Sequence, residues 1–134
     1  MNGGNFYSWL KIFSPPLSIL IIHFFLIVSK LYLLSYWVAE TMHIVGGIAI
    51  GFTYFFILGF LEANNHFKAR SFIKLIFIIS LVALTAVFWE FHEFILDYFF
   101  HTGFQISNAD TMLDLFLGLC GGTFISVFLE SIYH

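Results

Sequence analysis

Residues 72–100 read FIKLIFIISLVALTAVFWEFHEFILDYFF, and this stretch decides the fold. A helix needs about 20 predominantly apolar residues to cross a bilayer, and this run exceeds that. Three other runs have the same character: Leu17 to Val38, Met42 to Leu61 and Thr111 to Ile132. The first follows the pair Pro15-Pro16, which opposes earlier helix continuity. Composition agrees. Only 10% of the residues are charged and 60% are hydrophobic, whereas about a quarter of a soluble domain is charged. The chain is therefore expected to be all-α: a polytopic membrane protein folded as a four-transmembrane-helix bundle. Residues 1–134 are expected to form a single integral-membrane domain, with helices at approximately 17–38, 42–61, 72–100 and 111–132.

A net charge of −3 gives no reason to expect nucleic acid. Lys11, Lys30, Lys68, Arg70 and Lys74 form no basic face of the kind that tracks phosphates. The one cysteine, Cys120, lies in an apolar, glycine-rich stretch and reads as a small packing residue. The stretch Trp37-Val38-Ala39 lacks the small residue required before a signal-peptidase cut, so the first apolar run reads as a retained helix.

Lysine and arginine set the orientation. Lys68, Arg70 and Lys74 cluster in the link between the second and third helices, which is expected to face the cytoplasm with both termini. The expected location is the inner (cell) membrane, multi-pass. Six of the eight acids then fall together at the outer side: Glu40, Glu90, Glu93, Asp97, Asp110 and Asp114. Lys30 falls at the same level, where it snorkels or pairs with an acid.

At about 100° per residue, Glu90, Glu93 and Asp97 share an arc of roughly 60° on the third helix. His101 extends that stripe if the helix continues, and His92 points away. On the fourth helix Asp110 and Asp114 are one turn apart and Gly118, Gly121 and Gly122 follow on the same side. On the second, Glu40 and His43 precede Gly47 and Gly51. The spacings Gly47-x-x-x-Gly51 and Gly118-x-x-x-Gly122 suit close helix packing, within the chain or in a homo-oligomer.

Ionisable groups inside a membrane carry a cost and mark function by default. Like charges at one depth repel, and a divalent cation compensates them. His43, Glu90, Glu93, Asp97, Asp110 and Asp114 are the expected metal ligands. Carboxylates with imidazole suit Mn²⁺, Fe²⁺ or Zn²⁺, and carboxylates alone suit Mg²⁺ or Ca²⁺. The bland reading makes these acids the wet ends of helices, with Asp110 as the N-cap of the fourth. His23, His66 and His134 have no acidic company in the sequence.

The segment Trp89-Glu90-x-x-Glu93-x-x-x-Asp97, then Gly103-x-Gln105, then Asp110-Thr111-Met112-x-Asp114 with Gly118, resembles the YjdF-like bacterial inner-membrane proteins. Glu40, His43 and Gly47 are similar to a further D-x-x-x-H-x-x-x-G element of that family, with the acid shifted in spacing. The resemblance covers roughly 38–122, and the chain looks like a minimal version. It implies that the polar stripe is a shared unit that includes Gln105, and it implies no particular chemistry.

Three functions fit these residues. A cation at the outer face can activate water, with Glu93 as the catalytic base, against a lipid or lipid-linked substrate. Carboxylates and histidine also serve proton or cation transport. Lastly, acids paired throughout would lock a structural membrane partner.

Overall fold

A computed structural model describes residues 3–31, 36–66 and 68–133. Four helices account for most of these: α1 (Gly3–Val28), α2 (Tyr36–Ala63), α3 (Ser71–Phe100) and α4 (Asn108–Tyr133). Each contains a run long and apolar enough to cross a membrane. Among the described residues there is no strand, as hydrocarbon demands of a chain that must satisfy its backbone polar groups internally. The chain is an all-α membrane protein with four spans.

The third helix lies where its sequence puts it. The first does not: α1 starts well before Leu17, passes through Pro15 and Pro16 and ends at Val28, ten residues short of Val38. Proline at these positions removes the N–H groups that would bond the carbonyls of Lys11 and Ile12. Both carbonyls find hydroxyls instead. Ser14 Oγ donates to Lys11 O at 3.2 Å, and Thr53 Oγ1 on α2 lies 2.9 Å from Ile12 O. The breaker is thus neutralised, in part by a neighbouring helix. At the other end Ser29 Oγ donates to Phe25 O at 2.7 Å, and Lys30 takes a left-handed conformation with φ 57°. The chain turns there, and the expected helical positions 32–35 lie outside the described residues. Trp37 and Val38 belong to α2, which also takes in Glu40.

The α4 start also differs. Asp110 does not cap it; its backbone N–H donates to Ser107 Oγ at 3.1 Å. Ser107 is the N-cap and Asp110 sits in the first turn, where an acid complements the helix dipole.

The helices alternate in direction. Trp9 meets Phe60, with ring centroids 4.8 Å apart, at the end where α1 begins and α2 stops. Phe55 and Tyr133 meet at 6.0 Å near the same end, so α2 and α4 run parallel. α2 packs against all three other helices, most extensively against α4. The core is Phe55, Leu58, Ile78, Val82 and Leu129. Outside it, Phe24, Phe25, Phe72, Phe88 and Phe124 are largely exposed, the apolar surface that a bilayer covers.

The α2–α4 seam depends on missing side chains. A Cβ at Gly47 would collide with the carbonyl oxygen of Gly118, and one at Gly121 with that of Ile44. At Gly51 it would stand 2.8 Å from Gly122 O. The glycine faces pack within the chain.

At the Lys68–Arg70 end, Lys74 is buried in α3. Its Nζ lies 2.8 Å from Glu62 Oε2 and 4.7 Å from the centre of the Phe55 ring.

Candidate functional site

The glycine seam fixes the site. His43 stands one turn before Gly47 on α2, and Asp114 one turn before Gly118 on α4. Parallel helices in backbone contact at Gly47 and Gly118 therefore bring these two side chains together. His43 Nε2 lies 3.5 Å from Asp114 Oδ2. From α3, Glu90 Oε1 stands 3.8 Å from His43 Nδ1. Glu93, one turn further, joins them. His43, Glu90, Glu93 and Asp114 each offer a ligand atom, and these atoms lie within 4.8 Å of one another. The three acids are buried, at 5–6% exposure.

The surroundings orient the group. Trp89 Nε1 donates to Glu93 Oε1 at 2.9 Å. Glu90 Oε1 is buried and accepts no hydrogen bond among the described residues. Gln105 approaches the Glu90 carboxyl, and its Nε2 donates to Thr111 Oγ1 at 3.2 Å. The link between α3 and α4 thus folds back over the cluster. Phe104 in the same link lies 6.2 Å from the His23 ring.

Of the six residues expected as ligands, four converge. Asp97 stands apart and shapes the link: its Oδ1 accepts from the backbone N–H of Gly103 and, at 3.3 Å, from Thr102 Oγ1. Asp110 is outside the group of four, though within electrostatic range of all of them. His101 is the left-handed C-cap of α3 and is exposed, so it does not extend the stripe. His92 is exposed, as its position around the helix predicts. Lys30 is exposed and ion-pairs with none of the acids among the described residues.

His23 lies beside the cluster, which its sequence neighbours do not signal. It is buried at 6% exposure, and its ring meets the edge of Trp89 at 4.7 Å. It lines a cavity of about 520 Å³ together with His43 and Glu93. The one available signal was helical: Pro16, Leu20 and His23 recur at turn spacing on one side of α1.

A divalent ion bound at about 2.0–2.2 Å spaces opposed ligands roughly 4 Å apart. The 4.8 Å envelope is nearly an ångström wider, so the side chains would draw in around an ion. Three helices each supplying inward ligands is also how helix bundles build carboxylate metal sites.

No curated protein and no solved structure matches the chain. Residues 11–134 match the family described as predicted membrane protein (DUF2238). That span takes in α2, α3 and α4 with the whole polar cluster and nearly all of the spanning part of α1, and the chain belongs to this membrane protein family.

Proposed function

We propose that His43, Glu90, Glu93 and Asp114 hold a divalent cation, and that the site acts on a lipid or lipid-linked substrate. The observation that carries this is the convergence of four ligand atoms from three helices within 4.8 Å, at the wall of a cavity that His43 and Glu93 face. One nitrogen with carboxylate oxygens suits Mn²⁺, Fe²⁺ or Zn²⁺. Such an ion, when bound, makes water a better nucleophile near neutral pH. Glu93 is the general base of this reading. The Trp89 N–H orients its carboxyl, which would border the ion as a ligand and take a proton from water attacking a substrate in the cavity.

Two alternatives fare less well. A conduit needs polar groups through the other half of the membrane. There the hydroxyls of Thr53, Thr85 and Ser126 are bonded to protein partners and stand among the core residues Phe55, Leu58, Ile78, Val82 and Leu129, which favours packing over a wet path. A purely structural lock asks for close pairing of every acid, and Glu90 Oε1, 3.8 Å from His43 Nδ1, accepts no hydrogen bond among the described residues. The positive-inside rule puts the cluster at the outer face of an inner membrane, with Lys68 and Arg70 cytoplasmic. Residues 1–134 then act as one integral-membrane domain.

The test is the metal content of detergent-purified protein, wild type beside Glu93→Gln and Asp114→Asn. A near-stoichiometric metal that both variants lose supports the reading, and hydrolysis of lipid esters and phosphates is assayed next. No metal at any added concentration overturns it.

A further inference from the structure

The 520 Å³ cavity has a direction, readable from its walls. On α1 they run from Phe13 to His23, on α2 from Met42 to Ile50, and on α3 from Val82 to Glu93. At about 1.5 Å per helical residue these spans are roughly 12–16 Å. The cavity therefore lies along the helix axes over about the depth of one leaflet, half of a hydrocarbon layer roughly 30 Å thick.

Its chemistry changes along that length. His23, His43 and Glu93 meet at one end. Away from them the wall is apolar, with Pro16, Leu17, Leu20 and Ile50, apart from Thr85, whose hydroxyl is bonded to Tyr54 at 2.9 Å. It also opens sideways. The α1 backbone approaches only α2, and Leu17 and Leu20 line the cavity while remaining half exposed. A void that is one leaflet deep, apolar along its length, polar at one end and open to hydrocarbon matches one occupant.

We propose that this cavity takes the hydrocarbon chain of a lipid from the surrounding leaflet, with its head group between His23 on α1 and the His43–Glu93 edge of the cluster. The proposal rests on the reading of the cluster as acting on a lipid. It does not rest on the cation. α1 then serves as the wall past which the chain enters, and His23 supplies a head-group contact from outside the four-residue group.

The test uses the full chain in vesicles of phosphatidylethanolamine and phosphatidylglycerol, some carrying a photoreactive diazirine near the end of one chain. Cross-links are expected to be denser at Pro16, Leu17 and Ile50 than at Leu84 and Phe124, outward-facing residues deeper in the bilayer. Gly46→Leu projects into the space between α1 and α2, where a Cβ would meet Ile19 Cγ2 at 4.0 Å. Leu17→Trp obstructs the opening from a half-exposed position that the fold tolerates. Both are expected to suppress the cavity cross-links. His23→Phe keeps a ring against Trp89 but removes both nitrogens, and lipid retained through purification should fall roughly tenfold, the usual effect of one lost hydrogen bond to a charged group. Cross-links spread evenly over the surface, or unchanged in both blocking variants, overturn the proposal. Unchanged lipid retention in His23→Phe removes His23 from the head-group contact. Metal content is measured on the same preparations. Metal without cavity cross-links sinks this proposal alone, and cavity cross-links without metal sink the cation alone.

Discussion

Two glycines on one helix make a matched experiment. Gly47 and Gly59 both lie inside α2, yet a Cβ at Gly47 collides with the Gly118 carbonyl and one at Gly59 has nothing within 4 Å. Alanine at Gly59 should stabilise by about 0.5–1 kcal/mol, because it removes the entropy glycine loses in a helix. The same gain at Gly47 is outweighed. Its Cβ would also stand 2.8 Å from the Gly118 carbonyl carbon, so the seam must open by roughly an ångström. A gap of that size forfeits about a quarter to a half of the dispersion energy along the contact, and overpacking costs typically about 1–3 kcal/mol. His43 and Asp114 sit one turn along from the collision, so their 3.5 Å spacing widens with it. Metal ligand distances tolerate about 0.2 Å, and metal affinity should fall at least tenfold. Reversible unfolding in mixed detergent micelles measures the first effect, and metal titration of the same samples the second. If Gly47→Ala is as stable as Gly59→Ala and binds metal like wild type, the backbone contact does not exist and the account of how the site is positioned fails with it.

Thr53→Val removes the hydroxyl shared between the Ile12 and Ala49 carbonyls, and should cost about 0.5–1.5 kcal/mol, the net worth of one hydrogen bond; an unchanged unfolding midpoint would refute the role given to that hydroxyl. Lys74→Met leaves Glu62 without its partner and should destabilise more than Lys74→Met combined with Glu62→Gln, which a double-mutant cycle in micelles resolves. Asp97→Asn should leave metal content intact, since Asp97 serves the turn after α3, whereas Glu90→Gln should reduce it; elemental analysis of both distinguishes a ligand from a turn residue. Ser107→Ala should cost about 1 kcal/mol as a lost N-cap, while Asp110→Ala at the same helix start should cost less.

The spans were legible because hydrocarbon allows few alternatives: once four runs are long and apolar enough, helices follow. The third was placed to within a residue. The first begins earlier than its sequence suggests, because the cost of a proline pair is not a property of α1 alone. That cost depends on Thr53, 41 residues away and on another helix, and no local pattern announces that contact. The site was legible by the same division. Glu90 and Glu93 share a face by helical period, and His43 and Asp114 stand one turn from glycines that let their helices touch. Asp97 shares the helical face of Glu90 and Glu93 but stands in the last turn of α3, where its carboxylate bonds to Thr102 and Gly103 of the link. His23 was missed because its partners come from α3, with which α1 makes side-chain contact but no close backbone approach.

The depth of these groups bears on which chemistry they serve. Buried charges occur at both ends of the bundle, but they are solved differently. At the Lys74 end an amine meets a carboxylate at 2.8 Å and lies over the Phe55 ring, an arrangement that satisfies the lysine and leaves it little to offer a ligand. At the His43 end three carboxylates gather around one imidazole, with no lysine or arginine paired to them among the described residues. Three acids held together by a backbone contact that only glycine permits suit the proposed cation. On the proposed reading, the cavity beside α1 gives a lipid access to the carboxylates from the side. Lateral access of that kind is what the proposed lipid chemistry requires.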